Sequence, residues 1–277
     1  MTQPASEPAL DAFLDQAIAA ARAGAEVIRR GALDRDRLTI ERKKANDFVS
    51  EVDRNAEDAI IASLAARFPD HGFIAEESGV NGDAEFTWLI DPLDGTTNFL
   101  HGIPHYCTSI GLRHAGRIVV GVILDSAKDH LFTATEGGGA FLDGEPIRVA
   151  VRDGLDEAVI GTGFPFTDWS YFDAYMDSLR DVMRRCAGIR RAGAAALDLA
   201  YVASGWLDGF WEMNLNAWDV AAGSLLIREA GGIVTDFAGA GDFIARRQIV
   251  AGGPATHAAL LARLDAYPGL RVETGPR

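Results

Sequence analysis

Two aspartates three residues apart, followed at once by a glycine and two threonines, form the part of this sequence best suited to chemistry. Asp91 and Asp94 lie within residues 88–99, WLIDPLDGTTNF. Carboxylate oxygens are the ligands that hard cations such as Mg²⁺ prefer. The backbone N–H groups of Gly95 and Thr96, at the start of a predicted helix, suit the negative charge of a phosphate. This combination predicts a site for phosphoryl transfer to water.

The elements that must position these groups follow from the pattern around them. The apolar run before Asp91 predicts a buried strand, and side chains at the carboxyl end of such a strand converge on open space. Glu76 follows a second, shorter predicted strand, and Asp219 opens a predicted helix. Asp53 follows Ser50 at the spacing of a capping box, so capping alone is a sufficient explanation for it. Carboxylates that met in one cleft would repel one another unless a cation neutralised them.

Three other kinds of site fit the sequence less well. Phosphatases with an aspartyl nucleophile carry Asp-x-Asp-Gly-Thr, whereas Asp91 and Asp94 are one residue further apart and would not share a face of a regular strand. The run Gly137–Gly139 predicts hairpin turns rather than a dinucleotide loop, because no helical pattern follows it. The sequence contains no Gly-x-Ser-x-Gly elbow, which argues against a Ser–His–Asp hydrolase.

Composition excludes several classes of partner. The chain has 277 residues and a formal net charge of −14, which argues against a nucleic-acid surface, since phosphate backbones bind excess Lys and Arg. Its two cysteines, Cys107 and Cys186, form no spaced pair and indicate a reducing compartment. No apolar run reaches membrane-spanning length, and the first residues do not resemble a signal peptide. We therefore expect a cytoplasmic protein without a membrane partner.

The chain divides into two patterns of secondary structure. Helical patterns over residues 9–30, with Gly31 as a stop, and from the capping box at Ser50 to about Phe68 come before most of the strands. The strands after residue 100 have no long intervening helices, which predicts a mixed or antiparallel sheet. From about residue 158 strands and helices alternate, as in an α/β fold. We predict two halves, residues 1–152 and 153–277, that pack as one compact unit with a cleft where they meet.

Four segments together resemble the inositol monophosphatase family, and their order and rough spacing agree from about residue 10 to 265. They are residues 88–99, Trp218–Gly223, Ala75–Ser78 and Asn46–Asp53. Bacterial inositol-1-monophosphatases look most similar, through residues 190–201, RRAGAAALDLAY. The resemblance implies the α/β/α/β/α five-layered sandwich also found in fructose-1,6-bisphosphatases. It further implies a lithium-sensitive, homodimeric phosphatase that uses two or three Mg²⁺ ions per site.

The resemblance also assigns roles to individual residues. The implied metal ligands are Glu76, Asp91, Asp94, Asp219 and the backbone carbonyl of Leu93. The substrate side would comprise Gly95, Thr96, Arg190, Gly193, Ala194, Ala195, Glu212 and Asp219. The family often has Ser or Thr where this chain has Ala194, so one polar contact to the substrate is absent.

The implied reaction is direct attack on phosphorus by a metal-activated water, without a covalent phosphoenzyme. Asp53 and Thr96 would position that water and accept its proton. Lys44 and Asp47 match family positions near the site, as possible accessory residues.

The sequence leaves open which alcohol is released from the phosphate ester. Inositol 1-phosphate is the first candidate, but relatives of this fold also hydrolyse histidinol phosphate and other small phosphate monoesters and bisphosphates. Glu212 suits either a hydroxyl or an amine, so it does not separate inositol from histidinol phosphate. The alternative from another class is a regulatory protein that binds other proteins and retains the metal site.

Overall fold

The chain folds into five alternating layers of helices and sheets, as the family resemblance implies. The computed structural model describes residues 10–35, 38–44, 47–82, 84–166 and 168–270, without the side chains of residues 42–44, 47 and 48. Two outer helices cover the first sheet, two helices lie between the sheets, and two more cover the second sheet.

The first layer contains helices α1 (Leu10–Leu33) and α2 (Glu51–Arg67), joined through an antiparallel hairpin of β1 (Ile40–Lys44) and β2 (Asp47–Ser50). The predicted end of α1 at residue 30 is wrong, because the helix continues through Gly31. A Cβ atom at Gly31 would lie 2.5 Å from Cγ2 of Val52 on α2. The glycine therefore permits the close approach of two helices rather than ending one.

The second layer is an eight-stranded, mostly antiparallel sheet in the spatial order β10-β9-β8-β7-β6-β5-β3-β4. Its strands are β3 (Gly72–Ala75), β4 (Gly79–Asn81), β5 (Phe86–Asp94), β6 (Cys107–His114), β7 (Arg117–Asp125), β8 (Leu131–Thr135), β9 (Gly139–Leu142) and β10 (Glu145–Pro146). Strand β5, which carries the two aspartates, is buried over most of its length. The predicted turn at Gly137–Gly139 is confirmed, since it joins the antiparallel strands β8 and β9.

The middle layer brings the second half of the chain against the first sheet. The short helix α3 (Thr96–Leu100) follows β5, and α5 (Ala195–Ala203) and α6 (Ala217–Glu229) pack between the two sheets. Gly111 and Gly121 are paired across β6 and β7, beneath α6. A Cβ atom at Gly111 would lie 2.9 Å from the Cβ of Ala221, and one at Gly121 would lie 2.9 Å from the Ala222 carbonyl oxygen. The two glycines therefore let α6 lie close to the sheet.

The outer layers at the other side consist of a five-stranded sheet and its covering helices. The strands, in the order β12-β11-β13-β15-β14, are β11 (Val159–Thr162), β12 (Gly188–Arg190), β13 (Gly209–Met213), β14 (Ile233–Thr235) and β15 (Gln248–Gly252). The remaining helices are α4 (Phe172–Met183), α7 (Phe243–Arg246), α8 (Pro254–Leu264) and a 3-10 turn at Pro268–Leu270. The predicted boundary at residues 152 and 153 falls between the two sheets, and the division into two halves stays a prediction.

Apolar clusters hold each pair of layers together. Between the sheets, buried Leu, Ile, Val and Phe side chains of α5, α6 and the facing strands form one cluster. A second fills the space between α1, α2 and the first sheet around Trp88, and a third lies outside the second sheet around Trp211. None of the described helices combines the length and apolar character that a bilayer crossing requires.

Candidate active site

A cavity of about 270 Å³ lies where the carboxyl end of β5, the start of α5 and the loop before α6 come together. It gathers most of the residues that the sequence singled out, although these come from segments far apart in the chain. The predicted residues that line it are Glu76, Asp91, Leu93, Asp94, Gly95, Thr96, Gly193, Ala194, Ala195, Glu212 and Asp219. Arg190 is absent from this lining, Asp53 contacts it through Thr96, and the side chains of Lys44 and Asp47 lie outside the described residues.

An irregularity in β5 directs both aspartates into the cavity. Asp91 is paired with Ser109 and Asp94 with Cys107, so three steps along β5 match only two along β6. Such a bulge adds one residue and re-aims the side chains beyond it. The expectation that Asp91 and Asp94 would point to different faces therefore holds for a regular strand only. The bulge, at Pro92 and Leu93, lets both side chains line the same space.

Of the four aspartates that line the cavity, Asp91, Asp94 and Asp219 each have one carboxylate oxygen that accepts a backbone N–H. Leu93 donates to Oδ1 of Asp91 at 3.0 Å, and Ala196 donates to Oδ2 of Asp94 at 2.7 Å. Asn216 donates to Oδ2 of Asp219 at 2.7 Å, as part of the capping box that begins α6. These bonds orient the three carboxylates within the cavity.

Burial and the neighbouring negative charges raise the pKa values of these three aspartates. Burial raises the pKa of Asp91 well above its usual range, and the charges of Glu76 and Asp94 raise it further. Burial raises the pKa of Asp94 to about 6, although the N–H of Ala196 opposes this shift. Burial, and then Glu76, likewise raise the pKa of Asp219 well above its ordinary value. Buried like charges of this kind are stabilised by a cation.

The donor chemistry fits Mg²⁺, which takes oxygen ligands. Four acidic residues, Glu76, Asp91, Asp94 and Asp219, line the cavity together with Leu93. No three acidic, His or Cys side chains in the described ranges stand as a complete metal-binding group. The fit to Mg²⁺ therefore rests on the oxygen donors and the concentrated negative charge of the cavity.

Asp53 and Thr96 are joined beside this acidic cluster. The Thr96 hydroxyl lies 2.8 Å from Oδ1 of Asp53 and 3.1 Å from the Leu93 carbonyl oxygen. The other oxygen of Asp53 accepts hydrogen bonds from the Ser50 N–H at 2.8 Å and the Ser50 hydroxyl at 2.6 Å. The capping explanation is confirmed for one oxygen of Asp53, while the other accepts from Thr96; the catalytic role of Asp53 stays a prediction.

Sequence reasoning missed Glu57, which fixes the segment that carries Glu76. Glu57 is buried on α2, and its two carboxylate oxygens accept the backbone N–H groups of Glu77 and Ser78, each at 2.8 Å. A signal was available, because Glu57 lies four residues after Asp53 and therefore on the same face of the helix.

Glu212, on strand β13, also lines the cavity. Its carboxylate rests against the backbone of Gly163, where an added Cβ would lie only 1.7 Å from Oε1. Burial raises the pKa of Glu212 well above its usual range; the charge of Asp198 adds to this effect and that of Arg191 opposes it. Glu212 is thus held in the cavity by a contact that only a glycine permits.

The structure does not bring Arg190, which was assigned to the substrate side, into the lining of the cavity. Arg190 is exposed at the end of β12, and its guanidinium donates to the carbonyl of Ile189 at 3.0 Å. The neighbouring Arg191 lines the cavity instead, with its guanidinium 4.7 Å from the ring centroid of Phe166. Successive side chains of an extended segment point in opposite directions, so only one of two adjacent arginines can face the site.

Two further residues that the sequence did not reveal support the loops of the site. The side-chain amide of Asn98 donates to the carbonyls of His105 and Ala192, at 2.8 and 2.9 Å, and so ties α3 to the loop before α5. Arg247 donates to the carbonyls of Leu215 and Asn214 and to the side chain of Asn216, which supports the loop before α6.

Two known proteins resemble this chain over most of their length. The protein named Nus factor SuhB from Pseudomonas aeruginosa is 46% identical over 261 residues, which cover 92% of this chain and 96% of that protein. The inositol-1-monophosphatase from Mesorhizobium japonicum is 47% identical over 255 residues, covering 91% and 96%.

Solved structures show the same fold. The extragenic suppressor protein suhB from Bartonella henselae superposes with a TM-score of 0.89 at 44% identity, covering 91% of this chain and 98% of that one. The inositol monophosphatase from Anabaena gives a TM-score of 0.82 at 36% identity, covering 94% and 98%. The sequence pattern of the inositol monophosphatase family matches residues 9–268, and the chain therefore belongs to that family.

Proposed function

We propose that this chain is a Mg²⁺-dependent phosphatase of small polyol phosphate monoesters, with inositol 1-phosphate as the first substrate. One observation carries the proposal: Asp91, Asp94 and Asp219 meet in one cavity with the Gly95–Thr96 backbone and with Glu212. Membership of the inositol monophosphatase family and the similarity to the Mesorhizobium japonicum inositol-1-monophosphatase support it.

The residues that would hold two or three Mg²⁺ ions are the four acids Glu76, Asp91, Asp94 and Asp219, with the carbonyl of Leu93. When bound, Mg²⁺ supplies Lewis-acid chemistry that lowers the pKa of a water and stabilises charge on a leaving oxygen. The acids would balance the charge of the ions, and backbone hydrogen bonds hold the carboxylates of Asp91, Asp94 and Asp219 in position.

Thr96 and Asp53 would orient the attacking water and accept its proton. The hydroxyl of Thr96 lies between Asp53 and the Leu93 carbonyl, so it can accept from a water while it donates to one of these oxygens. Asp53 is anchored to Ser50 through its other oxygen, which keeps this pair oriented before substrate binds. Such prior positioning lowers the barrier because less ordering is needed in the transition state.

The phosphate and the alcohol would occupy opposite ends of the cavity. Gly95 has φ of +91°, and a Cβ there would lie 2.9 Å from the His105 carbonyl oxygen, so this turn requires glycine. The first N–H groups of a helix lack intrahelical acceptors and can bind phosphate oxygens. Glu212, at the far end, would accept a hydrogen bond from a hydroxyl of the alcohol.

A substrate panel tests this proposal. The purified chain is given inositol 1-phosphate, histidinol phosphate and fructose 1,6-bisphosphate, and phosphate release is measured with Mg²⁺, with chelator and with Li⁺. We expect the highest kcat/KM for inositol 1-phosphate, no turnover with chelator and inhibition by Li⁺. Absence of phosphate release from every ester would contradict the proposal, and a preference for histidinol phosphate would contradict its substrate.

A second candidate function comes from the relatives that are named Nus factors, including the one from Pseudomonas aeruginosa. A role as a Nus factor would act through contacts with other macromolecules and would not require hydrolysis. The test is complementation of an Escherichia coli strain lacking its own relative of that name, with the wild-type chain and with Asp219→Asn. Equal complementation by both favours the Nus factor role, whereas loss with Asp219→Asn favours a role for the acidic site.

We also propose that the chain forms the homodimer that its family resemblance implies. Sedimentation equilibrium would then give about twice the chain mass of 29.6 kDa. A mass equal to that of one chain across the micromolar range would contradict the dimer and leave the enzymatic proposal intact.

A further inference from the structure

Arg191 and Arg247 are the two arginines that line the cavity, and they differ in how their donors are used. The guanidinium of Arg247 donates three hydrogen bonds of 2.8–3.0 Å to the loop before α6, to Asn214, Leu215 and Asn216. Within the described ranges of the chain, no atom accepts a hydrogen bond from the guanidinium of Arg191. Its donors are therefore available to a ligand.

The guanidinium of Arg191 is held in place by packing. It lies 4.7 Å from the ring centroid of Phe166 and 5.7 Å from that of Phe164. An added Cβ at Gly193 would lie 2.8 Å from Nη1, so the group also abuts the Gly193 backbone at the cavity wall. Arginine stacks on aromatic faces and keeps its donor edge free, which pre-organises a planar fork.

The charges around Arg191 determine what it can bind. Asp198 and Glu212 lie close enough for their pKa values to be lowered by its charge, although burial raises both overall. The remaining titratable side chains of this lining, apart from Arg247, are acidic. An alcohol that carried its own negative charge would be repelled by these acids unless a cation faced it.

We propose that Arg191 binds a second anionic group, a phosphate or a carboxylate, on the alcohol half of the substrate. The cavity thereby accepts polyol phosphates that carry such a group as well as the uncharged alcohol of inositol 1-phosphate. This inference rests on the proposed phosphatase function. Arginine suits the role because its fork binds carboxylate and phosphate through two parallel hydrogen bonds.

Matched substrate pairs test the proposal. Inositol 1-phosphate is compared with inositol 1,4-bisphosphate for a second phosphate, and glucitol 6-phosphate with 6-phosphogluconate for a carboxylate. The variants are Arg191→Gln, Arg191→Lys, and Arg190→Gln as the control, since Arg190 is the exposed neighbour outside the cavity.

We expect Arg191→Gln to lower kcat/KM for the member with the second anionic group, in at least one pair, by about 10- to 100-fold, the range for a hydrogen bond to a charged group. The partner that has only the one phosphate should change by less than about threefold, because it makes no ion pair with Arg191. Arg191→Lys, which keeps the charge and loses the fork, should fall between these values. Arg190→Gln should leave both ratios unchanged. The pair that responds identifies the second anion as phosphate or carboxylate.

If Arg191→Gln lowered kcat/KM equally for both members of each pair, the role of Arg191 would be merely structural and the proposal would be overturned. It would also be overturned if the variant left the kcat/KM ratio within each pair unchanged. Calorimetric binding of the same four esters in Ca²⁺, which also takes oxygen ligands, gives a readout that is independent of turnover. Absent hydrolysis by the wild type, together with selective loss of binding in Arg191→Gln, would reject the phosphatase function and retain this inference. Failure of Arg191→Gln to change relative binding would overturn it.

Discussion

Asp91, Asp94 and Asp219 each accept a backbone N–H, whereas Glu212 packs against Gly163 and Arg191 packs against Phe166. We call the part of the cavity around the three aspartates the acidic end, and the part around Glu212 and Arg191, where the proposed function puts the alcohol, the alcohol end. Two of the backbone bonds are local, from Leu93 to Asp91 and from Asn216 to Asp219. The acidic end thus follows from short motifs, but the alcohol end depends on how separate segments meet. We infer that the phosphate chemistry is the fixed part of the site and that the alcohol end is free to vary.

The largest expected effect is at the acidic end. Asp94→Asn should lower kcat by about 10³-fold or more, because the acidic end loses a charge that would hold Mg²⁺. The amide oxygen can still accept the Ala196 N–H, so the variant should remain folded by circular dichroism. Wild type should gain melting temperature on Mg²⁺ addition, and the variant should gain little. Normal turnover by the variant would contradict the assignment of this residue.

The free energy of unfolding, measured against pH in the presence of chelator, tests the carboxylate of Asp94 without relying on catalysis. The pKa of Asp94 is raised to about 6 in the folded state from an ordinary value of 3.8, so the folded protein binds the proton more tightly than the unfolded one. The protein is therefore destabilised as pH rises from about 4 through about 6, by roughly 3 kcal/mol from this residue. Urea unfolding of wild type and Asp94→Asn should show their difference growing over this window. A difference independent of pH would rule out the raised pKa.

Glu57→Gln tests whether the hydrogen bonds that Glu57 on α2 accepts from the segment after Glu76 affect stability and Mg²⁺ binding. Glutamine offers one acceptor oxygen where Glu57 offers two to the N–H groups of Glu77 and Ser78. We expect a loss of about 1–3 kcal/mol in the free energy of unfolding, and weaker Mg²⁺ dependence of activity through a displaced Glu76. The control is Glu51→Gln on the exposed first turn of the same helix, which should cost less than about 0.5 kcal/mol. Equal Mg²⁺ affinity in wild type and Glu57→Gln would show that Glu57 acts on stability alone.

Gly163→Ala examines the alcohol end and should have the smallest effect. Its Cβ would displace the Glu212 carboxylate, a flexible group, so stability should fall by less than about 1 kcal/mol while kcat/KM falls about tenfold. The effect should vanish in a Glu212→Ala background, because nothing is left to displace. Additive losses in the double variant would show that Gly163 acts independently of Glu212.

The sequence predicted best those parts of the site whose structure depends on neighbouring residues. The segment from Asp91 to Thr96 predicted a strand end, a turn and a helix start, and the structure has all three. The capping box at Asp53 could also be predicted from the sequence, since it depends on two residues three positions apart in one helix turn. The five-layered fold followed from the family resemblance rather than from periodicity.

By itself, therefore, the sequence determined the identity of the acidic residues and the local structure that orients them. Only the tertiary structure decided that a bulge aims Asp91 and Asp94 into one space, and that Arg191 rather than Arg190 faces it. It also decided that Gly31 lies within a helix. The physical reason is common to all three. Strand register and the close packing of distant segments depend on partners that are not neighbours in the chain, so no local pattern can encode them.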